Sequence, residues 1–278
     1  MVQKLAIPIE KYESRNPPLL KWAGGKRLLL KHLSPLLPRT FGTYYEPFVG
    51  GGAVYFAVQP SPAVLADRNP DLTNCYIQVR DRPHEVIAIL NNWGSSEGDY
   101  YRIREADLDD EVSKAARLIY LTRLSFNGIY RLNGRGEFNV PYGHRPHLGS
   151  CDPVRVLAVS EALQPAEITC SDFEETTRAA TLGDLVYFDP PYAIPDDRTR
   201  FVRYNDRNFS WQDQIRLADV ASQLRARGVK LVISNADHPQ IRELYRGFRC
   251  LQVTRNSSIA ADGKQRGPTT ECIFHTEN

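Results

Sequence analysis

Apolar residues follow two patterns along this chain, and the change between them divides it. Tyr44 to Val49 is short, aromatic and β-branched, and runs into Gly50-Gly51-Gly52. That order predicts a strand, a glycine turn and then a helix over Ala53 to Val58. Ala63 to Ala66 reads as a second buried strand ending at Asp67, which makes a βαβ start and argues for a parallel sheet. Before it, residues 1 to 18 read as a loose arm ending in Pro17-Pro18. A helix is expected from Lys26 to Leu36, stopped by Pro38. From Asn69 to Leu124 the apolar spacing becomes helical, with a polar break at Asn91 to Asp99. Gly128 to Gly143 mixes Gly, Asn and Arg with aromatic and β-branched residues and predicts a β-hairpin.

Strand and helix then alternate again. Strands are expected at Glu167 to Cys170, Leu185 to Phe188 and Lys230 to Ser234, with a helix at Trp211 to Arg227. Two closing strands follow, at Phe248 to Val253 and Glu271 to His275. The expected architecture is an α/β sheet domain, residues 1–70 and 158–278, interrupted by a helical insert at 71–157.

Composition adds little until its distribution is considered. The 278 residues are 42% hydrophobic and 24% charged, ordinary for a globular chain, and the net charge is only +2. From Ser113 to Ser150, however, six cations (Lys114, Arg117, Arg123, Arg131, Arg135, Arg145) face one acid, Glu137. Such a stretch is either a solvated basic face or the footprint of a polyanion. The five cysteines and six histidines lack metal-ligand or redox spacing. No structural metal is therefore expected, and the thiols read as reduced. No leader or membrane span is evident, so a soluble, cytoplasmic protein is expected.

Three strings carry chemistry. Glu46-Pro47-Phe48-Val49-Gly50-Gly51-Gly52 ends a strand in glycines that let backbone approach a ligand closely, although a tight turn would look the same. It lacks the G-x-G-x-x-G spacing of dinucleotide sites. Asp67 closes the next strand, where a carboxylate can accept both ribose hydroxyls of a nucleoside. A helix-start acid is the plainer alternative. Together the two leave the cofactor open between NAD and S-adenosylmethionine.

Asp189-Pro190-Pro191-Tyr192, directly after the buried strand Leu185 to Phe188, decides between them. The exocyclic amine of adenine is a poor nucleophile, because its lone pair is delocalised into the ring. A carboxylate and a proline-constrained carbonyl can accept both amine hydrogens, which favours a pyramidal nitrogen and aims its lone pair at a sulfonium methyl. Tyr192 can stack on a base taken out of the helix. In the third string, Phe126 to Gly143, arginines suited to guanine edges alternate with apolar and aromatic residues suited to thymine methyls and base steps.

In this order the set resembles the Dam-type, D12-class DNA adenine-N6 methyltransferases. Lys21-Trp22-Ala23-Gly24-Gly25-Lys26 is similar to that family's amino-terminal motif, and the likeness runs from about Pro18 to Phe274. The resemblance implies a Rossmann-like, S-adenosylmethionine-dependent sheet with a reversed last strand, and a helical DNA-recognition insert carrying a hairpin. It implies that Trp22, Lys26, Glu46, Phe48, Gly50, Gly52, Asp67 and Asp189 line the cofactor site, and that Asp189, Pro190, Pro191 and Tyr192 form the catalytic motif. Lys21, Ile129, Arg131 and Pro141 match base-reading positions, Arg123, Phe126 and Asn127 match contacts near the flipped base, and Asn133 and Asn139 complete the DNA-facing set. The implied target is GATC.

The implied partners are duplex DNA and, acting separately, a cognate restriction endonuclease. A monomer working at the nucleoid is expected. The chain departs from the family pattern in Phe126, where Tyr is common, in a stretch after Gly143 that is one residue short, and in Ser258-Ile259-Ala260-Ala261, which lacks hydroxyls common there. The rival readings are an enzyme of the same fold acting on RNA or a protein amide, which usually carries Asn in place of Asp189, and a DNA-binding module without catalysis.

Overall fold

In the computed structural model, which describes residues 3–4, 18–194, 209–256 and 268–277, seven strands form one sheet. They are β1 (Tyr44–Glu46), β2 (Ala63–Asp67), β3 (Ala166–Cys170), β4 (Leu185–Phe188), β5 (Lys230–Ala236), β6 (Arg249–Asn256) and β7 (Pro268–His275). Their order is β3-β2-β1-β4-β5-β7-β6. The first five strands pair in parallel, and β7 runs antiparallel to both β5 and β6. The mixed α/β sheet and the reversed last strand agree with expectation. A separate two-residue pairing joins Gln3–Lys4 to Thr40–Phe41. The rest of the arm up to Pro17, and Ser258 to Ala261, lie outside the described residues.

The continuous apolar run of β4 follows from burial on both faces. Successive side chains point to opposite sides, so Leu185 and Tyr187 join one core cluster while Val186 and Phe188 join the other. Tyr44 and Tyr45 of β1 divide in the same way. Full burial of each such side chain stabilises the fold by roughly 1.5–3 kcal/mol. Asp184 fixes the strand starts relative to one another: its carboxylate accepts the amides of Thr43 (2.7 Å) and Thr181 (2.8 Å).

The expected helix at 26–36 is instead a 3-10 turn (Arg27–Leu29), a single helical turn α1 (Leu30–Leu33) and a second 3-10 turn (Ser34–Leu36). Pro35 lies inside the segment and supplies no N–H to continue the ladder. Helix α2 (Ala53–Val58) follows the glycine turn. Between β2 and β3 come α3 (Pro70–Asp81), α4 (Pro83–Asn92), α5 (Glu97–Glu105), α6 (Glu111–Leu124) and α7 (Pro153–Leu163). Asn69, Ser96 and Asp110 cap α3, α5 and α6 by accepting first-turn amides. Helix α6 packs on α3, α4 and α5, and α3 also lies against β2 and β3. The second core cluster is covered by α8 (Phe173–Thr176), α9 (Trp211–Ala226) and α10 (Pro239–Leu244). Ser210 and Asp213 form a reciprocal capping box at the start of α9.

The segment 128–143 departs from a regular hairpin. It is an antiparallel loop with isolated bridges at Ser125–Tyr142 and Leu132–Phe138. Positive φ at Asn127, Gly128 and Gly136 breaks the extended run. Asn133 Oδ1 accepts the amides of Arg135 and Glu137, a local turn that competes with a ladder.

Candidate active site

The chain order turns back between β1 and β4, which are neighbours in the sheet although β2 and β3 lie between them in sequence. Such a switch point leaves a crevice beyond the carboxyl ends of the strands. Those ends carry Glu46 and Asp189. After β1, Gly50 (φ +47°) and Gly52 (φ +65°) take left-handed conformations and bend the chain sharply into α2. Asp67 comes against this turn from the end of β2. Its Oδ2 accepts the Gly50 amide at 3.1 Å and its Oδ1 accepts the Asn69 amide at 3.0 Å. Burial, opposed by these amides, raises the Asp67 carboxyl above its ordinary range. With the Arg68 amide as a third backbone donor, the carboxylate still keeps lone-pair capacity for a further donor.

Trp22 covers the same turn. A β-carbon added to Gly50 would sit 3.0 Å from Trp22 Cδ1, and one added to Gly51 would sit 3.2 Å from Trp22 Cβ. The indole also stacks on Tyr130 with centroids 4.8 Å apart, and the Tyr130 hydroxyl donates to Asp71 at 3.2 Å. Glu46 is buried beneath the turn, where its Oε2 accepts the Tyr44 hydroxyl (2.8 Å) and the Tyr55 amide (3.1 Å). Burial pushes its carboxyl up to about 8 against these hydrogen bonds, and the Asp189 charge adds to the rise. Phe48 is partly buried in an aromatic cluster with Phe173, Phe188 and Phe209.

Asp189 faces Lys26 across the crevice, Oδ1 to Nζ 2.8 Å, with side-chain exposures of 18% and 5%. The Lys26 ammonium also donates to Gly24 O at 2.9 Å and lies 4.9 Å from the centroid of the Tyr192 ring. Tyr192 donates its hydroxyl to Glu271 Oε2 at 2.7 Å. Burial first, then the charges of Asp189 and Glu271, raise this phenol well above its usual range, so it stays protonated. The amino-terminal motif, the glycine turn, Asp67 and the Asp189-Pro190-Pro191-Tyr192 loop are thus brought together at one end of the sheet.

The loop 126–143 presents the remaining expected residues. Phe126 is 53% exposed, and Asn127, Arg131, Asn139 and Pro141 are also on the surface. Arg131 Nε donates to Asn139 Oδ1 at 2.8 Å. Ile129 is half-buried, and Asn133 is taken up by its own turn, donating to Glu137 Oε2 at 2.8 Å. Arg123 binds the carbonyls of Gly149 (3.0 Å) and Leu148 (2.6 Å). Lys21 packs its stem beside Gly128, where an added β-carbon would come within 2.6 Å of Lys21 Cδ. Partial burial and the nearby Arg145 charge both lower the Lys21 ammonium. Sequence reasoning missed the Arg145 neighbour, the Tyr130 stack and Glu271. Only Glu271 left a signal, as an acid opening the apolar run Cys272-Ile273-Phe274. Among the described residues, no group of three His, Cys, Asp or Glu side chains could hold a metal ion, and no helix is long and apolar enough to cross a membrane.

Residues 22–259 match the family described as D12 class N6 adenine-specific DNA methyltransferase. The chain belongs to this family. It is 38% identical over 275 residues to the type II methyltransferase M1.LlaDCHI of Lactococcus lactis subsp. cremoris, covering 95% of this chain and 97% of that one. The type II methyltransferase M.MjaIII of Methanocaldococcus jannaschii is 35% identical over 90% of this chain and 94% of its own. The DNA adenine methylase of Vibrio cholerae is 34% identical over 91% and 94%. This enzyme is accordingly an adenine-specific DNA N6-methyltransferase, and membership of the family implies use of S-adenosylmethionine.

Proposed function

We propose that the methyltransferase modifies adenine within GATC, with the crevice at the β1–β4 switch point as its active site and residues 71–157 as its target-recognition module. The observation that carries the site is Asp189 at the carboxyl end of β4, ion-paired to Lys26 and adjoining Tyr192. Asp189 and the Pro190 carbonyl accept the two amine hydrogens of an extruded adenine, and Tyr192 stacks on its ring. S-adenosylmethionine supplies an electrophilic methyl and leaves as a neutral thioether. The glycine turn, Trp22 and Asp67 hold it. Fit is supported by the tight turn under the indole and by the lone pairs left on Asp67.

Asp67→Ala removes a charge-assisted pair of hydrogen bonds to ribose. It should weaken S-adenosylmethionine binding by about 1.5–3 kcal/mol, read by calorimetric titration. Unchanged affinity would reduce Asp67 to a brace for Gly50.

The target rests on the recognition loop. Asn139 holds the Arg131 guanidinium at Nε and leaves donors for the two acceptors of a guanine edge. Ile129 and Pro141 offer apolar surface to a thymine methyl. Lys21 supplies a second cation at the base of the loop, suited to a guanine at the other end of the site. Its neighbour Arg145 repels it unless an anion lies between them, which suits a phosphate backbone. Exposed Phe126 is placed to wedge into the duplex. Arg131→Ala should cost about 1–3 kcal/mol of discrimination at its guanine and relax specificity there, measured as kcat/KM on single-base variants of the site. Single-molecule sequencing of DNA from cells that express this chain and lack other adenine methylation tests the target. Methyl-adenine confined to motifs without GATC would discard it. Because two relatives are type II methyltransferases, a cognate endonuclease acting separately is the proposed companion. A monomer in the cytoplasm, at the nucleoid, completes the reading.

A further inference from the structure

Glu271 lies in β7, remote in sequence from every loop motif of the site, and none of its surface reaches solvent. An acid so placed persists only where partners hold it. One partner is the Tyr192 hydroxyl, at 2.7 Å. Tyr192 follows two prolines, whose rings fix the backbone that delivers it. The Lys26 ammonium lies over one face of its ring, 4.9 Å from the centroid. The ring is therefore tied at its backbone, at one face and at its hydroxyl.

We propose that Glu271 is a positioning residue for methyl transfer, fixing the plane of the Tyr192 ring by accepting its hydroxyl. The inference rests on Tyr192 stacking the extruded adenine. A stacked base is aligned only as well as its platform, and small misplacements of reacting atoms cost large factors in rate. Without Glu271 the ring can tilt, and the amine leaves its line between Asp189 and the methyl donor. Glu271 itself is fully buried, out of reach of both DNA and cofactor.

The test combines Glu271→Leu, Glu271→Gln, Tyr192→Phe and the double variant Y192F/E271L in the full chain, with 2-aminopurine at the target adenine. Wild type should quench the extruded probe by stacking. Absence of quenching would overturn the stacking reading, and this inference with it, whereas differences among the variants report Glu271 alone. Glu271→Leu should lower kcat at least tenfold, leave both KM values within about twofold and restore 2-aminopurine emission in the complex. Glu271→Gln, whose amide oxygen still accepts the hydroxyl, should recover most of that loss. In the Tyr192→Phe background the leucine substitution should cost nothing further. A wild-type rate for Glu271→Leu, or an equal loss in both backgrounds, overturns the assignment. If Glu271→Leu fails to fold, Tyr192→Phe decides, because a wild-type rate there shows that the hydroxyl contact positions nothing.

Discussion

Asp189→Ala is expected to abolish nearly all methyl transfer while leaving DNA affinity close to wild type. The carboxylate stands at the carboxyl end of β4, at the switch point, with Oδ1 on Lys26. Its second oxygen can accept an amine hydrogen, an interaction that strengthens as the nitrogen pyramidalises and gains positive charge. Such an interaction acts mainly in the transition state, so its loss falls on kcat rather than KM. DNA affinity comes chiefly from phosphate contacts made elsewhere. Single-turnover transfer of a labelled methyl, beside a binding titration, separates the two quantities. Retention of more than about a tenth of the wild-type rate, an effect under roughly 1.4 kcal/mol, would place the acceptor site elsewhere.

Legibility from sequence followed the physics of each element. The bounds of β4 were readable because a strand buried on both faces is an unbroken apolar run, and turn residues bracket it. Helices α3 and α9 declare their starts through Asn69-Pro70 and Ser210. Asp67 and Gly50 were paired in expectation by their strand-end positions, and the structure joins them by a hydrogen bond. The loop after Phe126 was less legible. Its alternation suggests two strands, but Asn133 binds its own turn and the positive-φ residues break the ladder. Helix α7 was not expected, although Asp152-Pro153 marks its start as Asn69-Pro70 marks that of α3. Contacts between distant segments left almost no trace. Nothing in the local sequence links Lys26 to Asp189, or Tyr192 to Glu271. These pairs exist because the sheet order brings β1, β4 and β7 to one end, and topology is not written in any single window of residues.

The Lys26–Asp189 pair has a consequence of similar size. Lys26→Met should slow methyl transfer by up to about a hundredfold and also lower thermal stability. Methionine keeps the length of the stem but removes the charge. Breaking one side of a buried ion pair costs about 3–5 kcal/mol, because the other charge stays desolvated without a partner. Asp189 retains some solvent contact, at 18% exposure, so the lower end of that range applies. About 3 kcal/mol corresponds to a little over a hundredfold if it all appears in the rate. Part of it should appear in stability instead, since the ammonium also holds Gly24 O and lies over Tyr192. The loss of its charge would free the ring on one face and the amino-terminal motif at its glycine. Lys26→Arg is a useful contrast, because it keeps the charge but must fit a wider, planar head into a site that is 5% exposed. It should fall between wild type and methionine. Single-turnover rates and melting temperatures on the same preparations measure the division. A Lys26→Met enzyme that melts early but transfers methyl at the wild-type rate would show that the pair serves folding alone.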